Sequence, residues 1–88
     1  IMQREQELFQ TTYDKLTDNQ AALLVAIAKE GIVPAINAGE FIRKYSLKGT
    51  SSVNKALAYL IDKELAYQTP QGYIIYNRFF GFWLKNLM

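Results

Sequence analysis

Hydrophobic positions along this chain change their spacing twice, and each spacing predicts a different element. From Ala21 to Ala28 they form the longest apolar run; from Val53 to Ile61 they recur at helical intervals; beyond Leu65 they alternate with polar positions. The first run predicts a core helix, opened by a Thr17-x-x-Gln20 capping box, carried by Leu23, Leu24, Ile27 and Ala28, and closed by Gly31. In the second, Val53, Ala56, Leu57, Leu60 and Ile61 fall on one side at about 100° per residue, and Ser51, Lys55, Ala58 and Asp62 fall opposite. Ahead of it Phe41, Ile42 and Tyr45 give a shorter helix an inward face, with Asn37 as its cap and Glu40 reaching back. Leu47 should plug the turn between them, Gly49 should relieve the chain where it reverses, and Thr50 or Ser51 should cap the longer helix. A short helix, a tight turn and a longer helix make a helix-turn-helix.

Ile32 and Val33 predict a short extended piece that stops at Pro34, which cannot donate to a ladder. The alternating runs 66–69 and 73–77 flank Pro70-Gln71-Gly72 and predict a hairpin. Three helices followed by such a hairpin describe a winged helix. The expected fold is mainly α with a small β hairpin: a winged helix-turn-helix of three-helix core plus wing, with extra N- and C-terminal helices. Residues 1–15 are expected to be a polar linking helix with Met2, Leu8, Phe9 and Tyr13 as its apolar contacts. Residues 16–77 should form the winged helix and 78–88 an aromatic helix, capped by Asn77, that packs on the domain or extends from it.

Composition narrows the chemistry. The 88 residues contain no cysteine and no histidine, which removes disulfides, thiolate metal sites and the commonest general base. Lys48-Gly49-Thr50 reverses the order of a nucleotide-binding loop and lacks its glycine-rich approach, so it reads as a turn. No catalytic residue, metal site or cofactor is expected in this stretch. The longest apolar run is far short of the ~20 residues a membrane span needs, and no membrane partner is expected. A reducing, cytoplasmic setting is compatible with the lack of cysteine. A chain beginning at Ile1 is expected to be a piece of a longer protein.

The net charge is only +2, but it is unevenly spread. Residues 1–37 hold three basic against five acidic side chains, a balance of −2, whereas residues 38–63 hold five against two, a balance of +3. That excess sits on the helix-turn-helix and makes double-stranded DNA a candidate partner. Ser51, Ser52, Asn54 and Lys55 are the residues placed to meet bases, with Arg43, Lys44 and Lys48 on phosphates. The same residue types are ordinary on any solvated surface, and helix-turn-helix units also bind proteins. The wing tip, Thr69 to Gly72, has no cation, which argues against strong duplex binding. Tyr59, Tyr67, Tyr73 and Tyr76 fit hairpin packing better than a base-stacking platform. In the tail Phe79, Phe80, Phe82, Trp83 and Leu84 lie nearly all around a short helix, so some should stay open as an interface. A second copy or another domain would cover it.

The run Gly72-Tyr-Ile-Ile-Tyr-Asn-Arg-Phe-Phe-Gly-Phe-Trp-Leu84 resembles the Tyr-x-Val-x-Asp-Arg-Phe-Phe-x-x-Trp-Leu signature that closes the C-terminal winged helix of the archaeal-type AAA ATPases. Leu16-Thr-Asp-Asn-Gln-Ala-Ala-Leu-Leu24, Ser51-Ser-Val-Asn-Lys-Ala-Leu57 and Lys63-Glu-Leu65 are similar to further segments of that family, so the likeness covers residues 16–85. Asn77 stands where the family usually has Asp, and either side chain can cap. The resemblance implies a non-catalytic C-terminal domain whose ATPase site lies upstream. Such a winged helix would bind DNA, or dock on the upstream ATPase domain and report its nucleotide state.

Overall fold

Burial is deepest where the apolar run is longest: Leu23, Leu24, Val25, Ala26 and Ile27 are all enclosed, and the other elements wrap them. The computed structural model describes residues 2–36 and 38–87. Its order is α1 (Met2–Asp14), α2 (Asp18–Glu30), α3 (Gly39–Lys44), α4 (Thr50–Asp62), β1 (Ala66–Thr69), β2 (Gly72–Ile75) and α5 (Arg78–Lys85). The enclosed helix is α2, which packs against α4, α5 and β2. Its start is the expected capping box: Gln20 N–H donates to the Thr17 hydroxyl at 3.3 Å, and Thr17 N–H donates to the Gln20 side chain at 3.0 Å. Gly31, at φ 82°, ends it and donates to the Ile27 carbonyl.

The two helices of the helix-turn-helix end differently from the sequence expectation. Ser46 (φ 54°) and Glu64 (φ 58°) both take the left-handed conformation that glycine usually supplies. After each, the next N–H reaches back six residues inclusive, Leu47 to Ile42 O at 2.9 Å and Leu65 to Leu60 O at 2.8 Å. Leu47 and Leu65 then fold onto the core, which is the plug expected of Leu47. The chain therefore reverses at Ser46 rather than at Gly49. Gly49, at φ 155° and ψ 171°, is itself the residue before α4, so neither Thr50 nor Ser51 caps that helix, and no side chain does. Likewise α3 is preceded by Ala38 without a side-chain cap; Asn37 lies outside the described residues.

On α4 the buried stripe is Val53, Ala56, Leu57 and Leu60, while Ile61, expected on the same side, is exposed. By angle Ile61 falls about 40° outside the arc of the other four, beyond the edge that α2 and β1 cover. The wing is shorter than its alternation suggests. β1 and β2 pair antiparallel with Ala66 opposite Ile75 and Thr69 opposite Gly72, so Gly72 opens β2 and the loop is Pro70-Gln71. The Thr69 hydroxyl closes that loop, accepting from Gln71 N–H and Gly72 N–H and donating to Gly72 O at 2.8 Å. Val33 adds the expected extended piece as a one-residue bridge to Tyr73.

α1 is joined to the rest by aromatic rings. Phe9 stacks on Phe80 at 4.9 Å between centroids, and Tyr13 meets Trp83 edge-on at 6.0 Å. Leu8, expected as a contact, points to solvent, and the Met2 side chain lies outside what is described. No described helix is long and apolar enough to cross a membrane.

Candidate functional site

Two surfaces carry the residues singled out by sequence: the outer side of α3, the turn and α4, and the outer side of α5. On the first, the core stripe of α4 leaves Ser51, Asn54 and Lys55 fully outward in the first two turns. Ser52 does not share that face. It is half-buried in a recess between α2 and α4, beside Asn19, Ala22 and Val53. Lys48 and Asp18 line the same recess, so a carboxylate stands near the cation at the entry to α4.

The cations of α3 diverge. Arg43 is exposed, with its guanidinium turned back along the helix onto Gly39, where a Cβ would come within 3.1 Å of it. Lys44 is turned the other way. Its ammonium donates to Glu30 at 2.8 Å, and the Tyr45 hydroxyl donates to the same carboxylate oxygen. This ties the end of α2 to the end of α3, and it sets a carboxylate against Lys44, whose side chain stays 64% exposed. Among the described residues Arg43, Lys48 and Lys55 are in no ion pair.

The hydrogen bond from Lys44, reinforced by that from Tyr45, holds the Glu30 carboxyl below its ordinary range. The same contact pushes Lys44 up, while burial first and Glu30 second raise Tyr45. A depressed carboxylate contributes stability above its unfolded pKa and loses it as pH falls through the folded one. The tie is therefore intact at neutral pH and released by acid. Glu30→Gln should flatten the acid limb: urea midpoints at pH 7 and pH 3 should differ less in the variant than in the parent chain, and equal differences would show that the tie contributes nothing.

On the second surface α5 is divided by angle. Asn77 caps it, accepting from Phe79 N–H at 2.9 Å and Phe80 N–H at 3.2 Å. Phe80 and Leu84 are core residues, at 3% and 0% exposure, so neither belongs to a docking surface as the sequence expectation had it. Trp83 is half-buried against Phe9 and Tyr13. Phe79 and Phe82 stand open at 63% and 70% exposure, one turn apart, flanked by Arg78 and Lys85. Tyr67 and Tyr76 pack edge-on at 5.4 Å on the outside of the wing, an arrangement of ring against ring rather than a flat platform. Sequence reasoning missed the Glu30 contact to Lys44 and Tyr45; opposite charges at the ends of neighbouring helices were its only signal.

No curated protein and no solved structure matched the chain. A family model described as "Probable winged helix domain" matches residues 7–86, a span that runs from α1 through α5. The helix-turn-helix, the hairpin after it and the model agree, and the chain belongs to this winged-helix family.

Proposed function

We propose that this winged helix is the non-catalytic C-terminal domain of an archaeal-type AAA ATPase and that it binds duplex DNA through α4. The observation that carries the DNA reading is the outer face of α4: Ser51, Asn54 and Lys55 project from its first two turns while the opposite stripe anchors it. The start of α4 has no side-chain cap, so its first N–H groups are open to a phosphate oxygen. Lys48 stands at that entry, and Arg43 lies on the preceding helix with its guanidinium over Gly39; among the described residues neither is in an ion pair. The uncharged wing tip adds no cation and Glu30 offsets the charge of Lys44, which leaves Arg43, Lys48 and Lys55 as the cations with no ion pair among the described residues, so the binding is weak and strongly salt-dependent.

The parent reading rests on the signature from Tyr73 to Leu84, four of whose residues have a task in this fold: Asn77 caps, Phe80 and Leu84 fill the core, and Trp83 holds α1. Winged helix domains are typically non-catalytic, and the ATPase chemistry is assigned to sequence before Ile1. A Gly-x-x-x-x-Gly-Lys-Ser/Thr loop is required there. Its absence would remove the parentage.

With three phosphate contacts, a fourfold rise in salt should weaken duplex binding by about 40-fold, and Lys55→Glu should make the salt slope shallower by about 0.9. Fluorescence anisotropy of a mixed-sequence duplex measures both. Binding that is undetectable at low salt, or unchanged by Lys55→Glu, would refute the α4 surface.

A further inference from the structure

The outer side of α5 meets the end of α2 and β2 in an open groove of about 280 Å³, outside the helix-turn-helix surface. Gly31, Ile75 and Gly81 line it without polar side chains, Phe82 stands beside them, and Arg78 and Lys85 complete the lining. Gly81 makes the depth: a Cβ there would come within 3.4 Å of Ile75. No acidic residue lines the groove, and among the described residues neither Arg78 nor Lys85 is in an ion pair. At about 100° per residue Lys85, Arg78 and Phe82 fall within a 60° sector of α5, and along the axis one cation stands about a turn before the exposed ring and the other about a turn after it.

We infer that this groove is a docking site for an acidic protein segment that inserts one or two large apolar side chains beside Phe82 and sets carboxylates against Arg78 and Lys85. Charge selects this occupant. A second copy meeting the patch with its own patch would oppose Arg78 and Lys85 to themselves, because a two-fold interface pairs a surface with its own image. A small molecule is a poor fit, since such sites are enclosed clefts of roughly 300–1,000 Å³ and this one is open and smaller. The apolar lining sets what is inserted, and the cations set partner choice and the rate of encounter. The site does not depend on the DNA reading.

Selection from a random dodecapeptide display library against the 88-residue chain tests it. Enriched peptides should carry one or two large apolar residues bracketed by Asp or Glu. Their affinity should fall at least tenfold with Arg78→Glu/Lys85→Glu and with Phe82→Ala, which circular dichroism should show folded because all three side chains are exposed. No enrichment, a consensus without acidic residues, or binding that survives the double charge reversal would overturn the proposal. So would loss of duplex DNA binding in Arg78→Glu/Lys85→Glu, which would assign both cations to phosphate.

Discussion

Phe80→Ala should lower the stability of the chain by about 3–5 kcal/mol, the range for truncating a buried aromatic. The ring is 3% exposed and sits between Phe9 at 4.9 Å and Trp83 at 5.9 Å. Its removal leaves a cavity where α1, α2 and α5 meet, and takes away the stacking partner through which α1 is joined. A domain of this size has roughly 4–13 kcal/mol in total, so the loss is a large part of what holds it folded. Urea unfolding followed by Trp83 fluorescence should show a much lower midpoint and a red-shifted native spectrum. Phe82→Ala, two residues on, should change the stability by no more than about 0.5 kcal/mol because its ring is open to water. Equal effects of the two substitutions would contradict the division of α5 described above.

Gly72→Ala should cost about 3 kcal/mol, for two reasons that act together. Gly72 has φ 144°, a conformation that side-chain-bearing residues rarely adopt, and a Cβ there would lie 2.6 Å from Val33 O and 2.8 Å from Pro34 Cα. These are backbone atoms and cannot rotate away. The strand would have to retreat from the Val33 segment, which breaks the paired bonds Val33 N–H to Tyr73 O at 3.0 Å and Tyr73 N–H to Val33 O at 2.9 Å. Hydrogen exchange of the Tyr73 amide should rise to the level of local opening, together with a lower urea midpoint. A Tyr73 amide as protected as in the parent chain would show that the Val33 segment shifts freely.

Signals that act over three or four residues were legible in the sequence. The Thr17–Gln20 box, the Gly31 stop, the Asn77 cap and the α4 stripe from Val53 to Leu60 each depend on neighbours within one or two turns. The ends of α3 and α4 were hidden because Ser46 and Glu64 occupy left-handed positions where glycine is the usual marker, and the glycine that is present, Gly49, lies three residues later. Of the DNA candidates, Lys44 and Ser52 have neighbours that the sequence did not announce, for the same physical reason. Their surroundings come from α2, and a carboxylate 14 residues away or a recess against Asn19 leaves no periodic trace. For α5 the difficulty was the reverse, since apolar residues lie on nearly every side and periodicity alone could not separate the Phe80 side from the Phe82 side.

The single-residue bridge at Val33 has a further consequence for how copies of this chain behave toward one another. Sheet margins with free N–H and C=O groups invite strands from other molecules, and the route from there leads to aggregation. Here Val33 supplies the outermost pairing on one side of the hairpin, and Pro34 follows it with no N–H to offer. On the other side β1 is four residues long and packed against α4. Neither margin presents a template long enough for intermolecular strand addition, so the wing stays a two-stranded appendage at high concentration.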